Sequence, residues 1–243
     1  MNRFMDFIFP RYCLLCGEKH QLIPTADLCI GCYKDITLNS SPCGLCGVPL
    51  TPTLKGLSQA GATEPVCGSC LKTPPAFDAL WSPFIYTQPL EWVIQRFKFN
   101  ANLMFAPLLS DLMIQQIPAS LYKQQRPDAV IPMPLHDKRL KHRGFNQSLL
   151  LAKPVAEVLG VPVDSKSCQR RHNTEHQTGK NARQRQQNIK GAFQFDNKKN
   201  YQYLVIFDDV VTTGSSVSEL SKTLKLSGVS RVDIWSLARA ERF

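Results

Sequence analysis

The chain has 243 residues, 43% of them hydrophobic, and a formal charge of +10, enough length for a well-buried core in one or two domains. No window approaches an uncharged apolar run of transmembrane length. The opening "MNRFMDFIFPRYC" has an acid in its short apolar patch and no small-residue cleavage site, so neither a membrane span nor a secretory signal is expected, and the cytoplasm is the expected location.

Eight of the nine cysteines form four CxxC pairs, Cys13/Cys16, Cys29/Cys32, Cys43/Cys46 and Cys67/Cys70. Thiols in a reducing compartment point to metal rather than disulfides, and one zinc ion takes four thiolates in a closed tetrahedral shell. Two structural zinc sites are therefore expected, with a disulfide-stapled or redox module as the alternative. The spacing leaves open whether adjacent or interleaved pairs share an ion. Cys168 has no CxxC partner and reads as an ordinary small side chain. The cysteines are confined to one end, so two domains are expected, a double zinc-ribbon domain over 1–75 and an α/β domain over 76–243.

Counting eight thiolates and two zinc ions lowers the formal charge to about +6. Residues 1–75 hold six Lys/Arg against five Asp/Glu, whereas residues 136–190 hold 12 against four. That local excess calls for an anionic partner, polyphosphate or nucleic acid, or else forms a solvated face.

After the last CxxC, the prolines of "LKTPPAFDALWSPF" mark a linker at about 72–77. "PLEWVIQRFKFNANLMFAPLLSDLMIQQI" has apolar residues at helical spacing, with a break between two helices at Asn100 to Asn102. "DAVIPMPLH" reads as a buried strand ended by two prolines. "NQSLLLAKPVAEVLG" reads as a helix that Pro154 bends or interrupts. The polar, basic "CQRRHNTEHQTGKNARQRQQNIKGAFQF" reads as a long mobile loop with some helix near its end. "YQYLVIF" is a strand with a continuous apolar run, "SSVSELSKTLKLSG" a helix stopped by Gly228, and "RVDIWSLARA" another strand. This order predicts a mainly parallel sheet wound by helices, with ligands bound beyond the carboxyl ends of its strands. The loops at 132–147 and 208–216 are the ones so placed.

In "FDDVVTTGSSV" the turn between Val211 and Ser216 opens a helix. Free N–H groups there bind phosphate, Gly214 lets the backbone come close, and Thr212, Thr213, Ser215 and Ser216 offer hydroxyls. Asp208 and Asp209 are acceptors, and need ribose hydroxyls or a hydrated Mg2+. A Walker B strand is the rival reading, but Gly179-Lys180 has Thr174 where a P-loop needs its first glycine and Asn181 after the lysine.

"VIFDDVVTTGSS" resembles the phosphoribosyl pyrophosphate (PRPP) motif of type I phosphoribosyltransferases. The resemblance implies that fold, with Asp208 and Asp209 on the ribose hydroxyls, the Thr212–Ser216 turn on the 5-phosphate, and Mg2+ accompanying PRPP. "VIPMPLHDKRLKHRGFNQSLLLA", "TEHQTGKNARQRQQNIKGAF" and the PRPP motif behind a double CxxC ribbon are together similar to the ComF (ComFC) competence proteins over essentially the whole chain. That implies a role in natural transformation and DNA uptake, with single-stranded DNA and PRPP or a related ribose 5-phosphate as partners. The helicase ComFA or other competence proteins would join them. The alternative is an active Mg2+-dependent phosphoribosyltransferase with an unknown acceptor.

The basic Pro132–Asn146 segment stands where many type I enzymes have a short pyrophosphate loop. Pyrophosphate or DNA contact is expected from Lys98, Lys138, Arg139, Arg143, Arg170, Arg171, Arg183 and Arg185. Phe145 is either core or a stacking platform for a base.

Overall fold

The computed structural model describes residues 11–19, 21–51, 65–99, 102–123, 125–171 and 189–241. A parallel sheet forms its centre. β6 (Tyr203–Val211) lies between β3 (Ala129–Pro132) and β7 (Arg231–Arg239). The far side of β7 carries two short strands in succession, β1 (Ala79–Trp81) and β2 (Phe84–Ile85), both parallel to it. Pro83, which has no N–H to give a ladder, falls in the gap between them. This edge was hidden in the sequence, because "FDALWSPF" is too short and too broken to show a strand period.

β6 is apolar over Tyr203–Phe207 because both of its faces are covered. Val205 and Phe207 pack on one side with the helices α3 (Leu90–Phe99), α4 (Phe105–Gln115) and α7 (Gln147–Leu159). Leu204 and Ile206 pack on the other with α8 (Ser215–Leu226). α3 ends at Phe99 and α4 begins at Phe105, with Asn102 outside both helices, while Asn100 lies outside the described residues. α7 runs through Pro154 without interruption. The expected class is confirmed, an α/β chain with a mainly parallel sheet behind a cysteine-rich N-terminal part.

Two expectations need correction. The 132–147 loop contains a helix, α6 (Asp137–Arg143), which His136 starts by accepting from Lys138 N at 3.2 Å and Gly144 ends with φ +80°. Charge density had hidden it, since DKRLKHR has no apolar stripe. The 168–195 stretch is not all loop. β4 (Cys168–Arg170) and β5 (Phe193–Phe195) pair antiparallel, and residues 172–188 between them lie outside the described residues. Nearby Asp164 accepts from Ser167 Oγ at 2.7 Å, Lys199 Nζ at 2.9 Å and Tyr201 Oη at 3.0 Å.

The cysteine-rich part is built into both cores. Cys13, Leu28, Cys29 and Ile36 join the first apolar cluster, and Cys43, Cys46, Val48 and Cys70 the second. At Gly47, φ is +65°, a left-handed conformation that favours glycine, and a Cβ there would crowd the Leu80 side chain on β1.

Arg239, at the end of β7, is fully buried. Its Nε donates to Cys46 O at 2.9 Å. Its Nη1 donates to Val211 O at 2.9 Å, to Ala240 O at 2.9 Å, and to Thr212 O. One guanidinium therefore joins the second cysteine cluster, the end of β6 and the turn that follows it. Arg239→Met strands these carbonyls and is expected to cost about 3 kcal/mol or more of stability, read as a lower urea midpoint at unchanged slope.

Candidate functional site

The eight paired cysteines form two clusters, Cys13/Cys16/Cys29/Cys32 and Cys43/Cys46/Cys67/Cys70, with the four Sγ atoms of each within 4.8 Å of one another. Adjacent pairs therefore share a site. The Cys16–Cys29 and Cys46–Cys67 sulfurs are both 3.7 Å apart. A tetrahedron with Zn–S bonds of about 2.3 Å has an edge of about 3.8 Å, so the donor set and spacing fit zinc in a closed shell. Cys168 is buried in the second apolar cluster, and burial pushes its thiol up to about 12. The protein is expected to release two zinc ions per chain on thiol titration, and Cys43→Ser one.

A cavity of about 290 Å³ opens beyond the carboxyl ends of β3 and β6. Asp208 and Asp209 face it from the last residues of β6 rather than from a loop, since the strand runs on to Val211. Asp208 Oδ1 accepts from Ser148 Oγ at 3.2 Å and from Asp209 N at 2.9 Å. Lys98 Nζ, on α3, stands 2.8 Å from Asp209 Oδ1. Burial, and then the neighbouring Asp209 carboxylate, push the Asp208 carboxyl up to about 7 against the opposing pull of Lys98.

α6 sorts the basic segment. Arg139 and Arg143, four residues apart on one helix face, line the cavity, whereas Lys138, Lys141 and His142 are exposed. Arg170, at the end of β4, joins them. Burial and the nearby Arg139 lower Arg170 to about 10. Burial lowers Arg143 too, with Arg139 adding to the effect and Asp209 opposing it. Crowded, half-buried guanidinium groups repel one another, a repulsion that anionic oxygens relieve.

Thr212 and Ser216 line the cavity, and Gly214 adopts φ +79° as the N-cap of α8. Thr213 and Ser215 join hydroxyls at 2.9 Å, and Ser215 N donates to Thr213 Oγ1 at 3.3 Å. The first turn of a helix offers N–H groups without intrahelical partners, which suits phosphate. The Val211 side chain is buried in the core, so it shapes this turn from behind.

Of the expected cations, Lys98, Arg139, Arg143 and Arg170 are brought together. Lys138 and Arg171 are exposed away from the lining, and Arg183 and Arg185 lie outside the described residues. Phe145 packs against Phe97 at 5.6 Å between ring centroids and belongs to the core side. Sequence reasoning missed Tyr86, Gln95, Gln147 and Ser148 in the lining. Gln147 is 2% exposed, and its Nε2 has no hydrogen-bond partner among the described residues. The signal for this pair was present in "FNQS", where Asn146 caps α7 by accepting from Leu149 N at 3.2 Å.

A hard divalent cation takes oxygen ligands. Here Asp209 already holds an ammonium, Asp208 holds a hydroxyl and an amide, and three guanidinium groups stand around them. The side chains present do not make a Mg2+ site. Because its folded-state carboxyl lies above the ordinary value of about 4, Asp208 subtracts stability increasingly as pH rises from there through about 7. Asp208→Asn is therefore expected to raise the thermal midpoint more at pH 8 than at pH 5.

Residues 4–72 match the family model of the double zinc ribbon domain. The chain is 36% identical to competence protein F of Haemophilus influenzae, over 99% of this chain and all of that protein. It is 34% identical to the DNA utilization protein YhgH of Salmonella typhimurium, over 95% of this chain and 97% of the relative. It is 21% identical to competence protein ComFC of Streptococcus pneumoniae, over 93% and 99% of the two chains.

Proposed function

The chain belongs to the competence protein F (ComF) family, and from that premise we propose that it handles incoming single-stranded DNA during natural transformation and carries a pocket for PRPP or a related ribose 5-phosphate. Relatives named for competence and for DNA utilization support the first half. The single observation that carries the second is the cavity itself, where two carboxylates, a hydroxyl-rich helix N-terminus and four cations face one space. Each ligand part has a suitable partner. Asp208 and Asp209 accept from sugar hydroxyls, the Thr212–Ser216 turn donates to a 5-phosphate, and Lys98, Arg139, Arg143 and Arg170 meet a diphosphate.

The exposed cations Lys138, Lys141 and Arg171 border this pocket in sequence and supply a basic surface for a nucleic-acid backbone. A helicase such as ComFA is the expected protein partner. No helix among the described residues is long and apolar enough to cross a membrane.

An active phosphoribosyltransferase is the second reading, favoured by one observation. Asp208 lines the cavity, and burial beside Asp209 pushes its carboxyl up to about 7, so a group able to accept a proton from an attacking nucleophile stands in the pocket. Pyrophosphate release from PRPP, screened over bases, amines and nucleic acids, tests it directly.

Calorimetric titration with PRPP is expected to show at least about tenfold weaker binding for Asp208→Asn with Asp209→Asn; unchanged affinity refutes the pocket assignment. Binding of single-stranded DNA is expected to weaken steeply with salt, and to fall when Lys138, Arg139, Arg183 and Arg185 are replaced by alanine. Undetectable binding at low salt removes the DNA reading.

A further inference from the structure

The acidic pair at the end of β6 has a cation of its own in this chain. Lys98 follows Phe97, which is fully buried in the first apolar cluster between α3 and the sheet. The Lys98 side chain is 22% exposed and that of Asp209 8%, with 2.8 Å between Nζ and Oδ1. Burial alone draws the ammonium towards neutrality, but Asp209, and to a lesser degree Asp208, outweigh this and keep Lys98 charged. The pair is not a solvent-facing contact that a hydrated ion displaces at no cost.

Arg139, Arg143 and Arg170 line the same space. Four cations against two carboxylates leave the wall at a formal +2 when both acids are ionised, and more when Asp208 is protonated. A divalent cation entering alone meets that charge and must also separate Lys98 from Asp209. A diphosphate meets what it needs, guanidinium forks and an ammonium already desolvated.

We propose that Lys98 is the built-in counter-cation of this pocket: it neutralises Asp209 in the free protein and, with the three arginines, supplies the positive charge that lets a ribose diphosphate bind without a divalent metal ion. The inference rests on the ribose-phosphate reading above and adds what neutralises the ligand. Lys98 is then a ligand-binding residue, and its ammonium is shared between Asp209 and the incoming phosphate oxygens.

PRPP is the probe, titrated calorimetrically in excess EDTA and again in millimolar Mg2+, against the wild type, Lys98→Met and Lys98→Arg. The wild-type dissociation constants in the two buffers are expected to agree within about threefold. Lys98→Met is expected to bind about ten- to hundredfold more weakly in EDTA, and to regain most of that when Mg2+ is added. Lys98→Arg keeps the charge and is expected to keep binding in EDTA, a response that a purely structural lysine would not produce.

Wild-type binding that appears only with Mg2+ overturns the inference and leaves the PRPP reading standing. Equal affinities of wild type and Lys98→Met in EDTA also overturn it. Absence of PRPP binding in both buffers refutes the ribose-phosphate reading itself. Should Lys98→Met fail to fold, the two wild-type titrations still decide.

Discussion

A single buried guanidinium holds the architecture together. Arg239 reaches the carbonyl of Cys46 in the second cysteine cluster, and those of Val211 and Thr212 where β6 runs into the Thr212–Ser216 turn. An arginine keeps its charge under all ordinary conditions, and a buried charge demands oxygen acceptors on every donor. The chain must bring those three carbonyls to one point or leave the charge stranded. The cysteine cluster, the end of β6 and the turn are therefore fixed relative to one another by one desolvated group.

The zinc clusters then act as substitutes for core volume. Each ribbon is too small to bury an apolar core of its own, and each one lends its cysteines and a few hydrophobic residues to one face of the sheet. Closed shells of four thiolates leave no position for water on the metal, so their contribution is rigidity. Through Gly47 against Leu80, and Cys46 against Arg239, that rigidity is delivered close to the pocket.

The pocket itself is assembled around an electrostatic conflict. Two carboxylates side by side in a half-buried site repel, and the protein relieves this by raising the affinity of Asp208 for a proton and by giving Asp209 a lysine. Three crowded arginines repeat the conflict with opposite sign. Clusters of both signs thus meet in one cavity, with acids and hydroxyls at the end of β6 and guanidinium groups on α6 and β4.

Local chemistry alone determined a good deal. The CxxC pairs announced their metal because thiolate donors at that spacing have few other uses. "VIFDDVVTTGSS" carried the strand, the acids and the turn in one continuous stretch, so its reading needed no distant contact. Helical period marked α3, α4 and α8, while continuous apolarity marked β6 and β7 as covered on both faces. Tertiary structure decided what depends on residues far apart in the chain. It paired adjacent rather than interleaved CxxC motifs, and it turned Arg139 and Arg143 inward while leaving Lys138 outside. It also brought Lys98 to an acid 111 residues further on. Arg239 is the extreme case: nothing in "SLARA" distinguishes it from a surface cation. Its role exists only once three separate segments meet, because hydrogen bonding to backbone carbonyls leaves no mark on the identity of the residues that supply them.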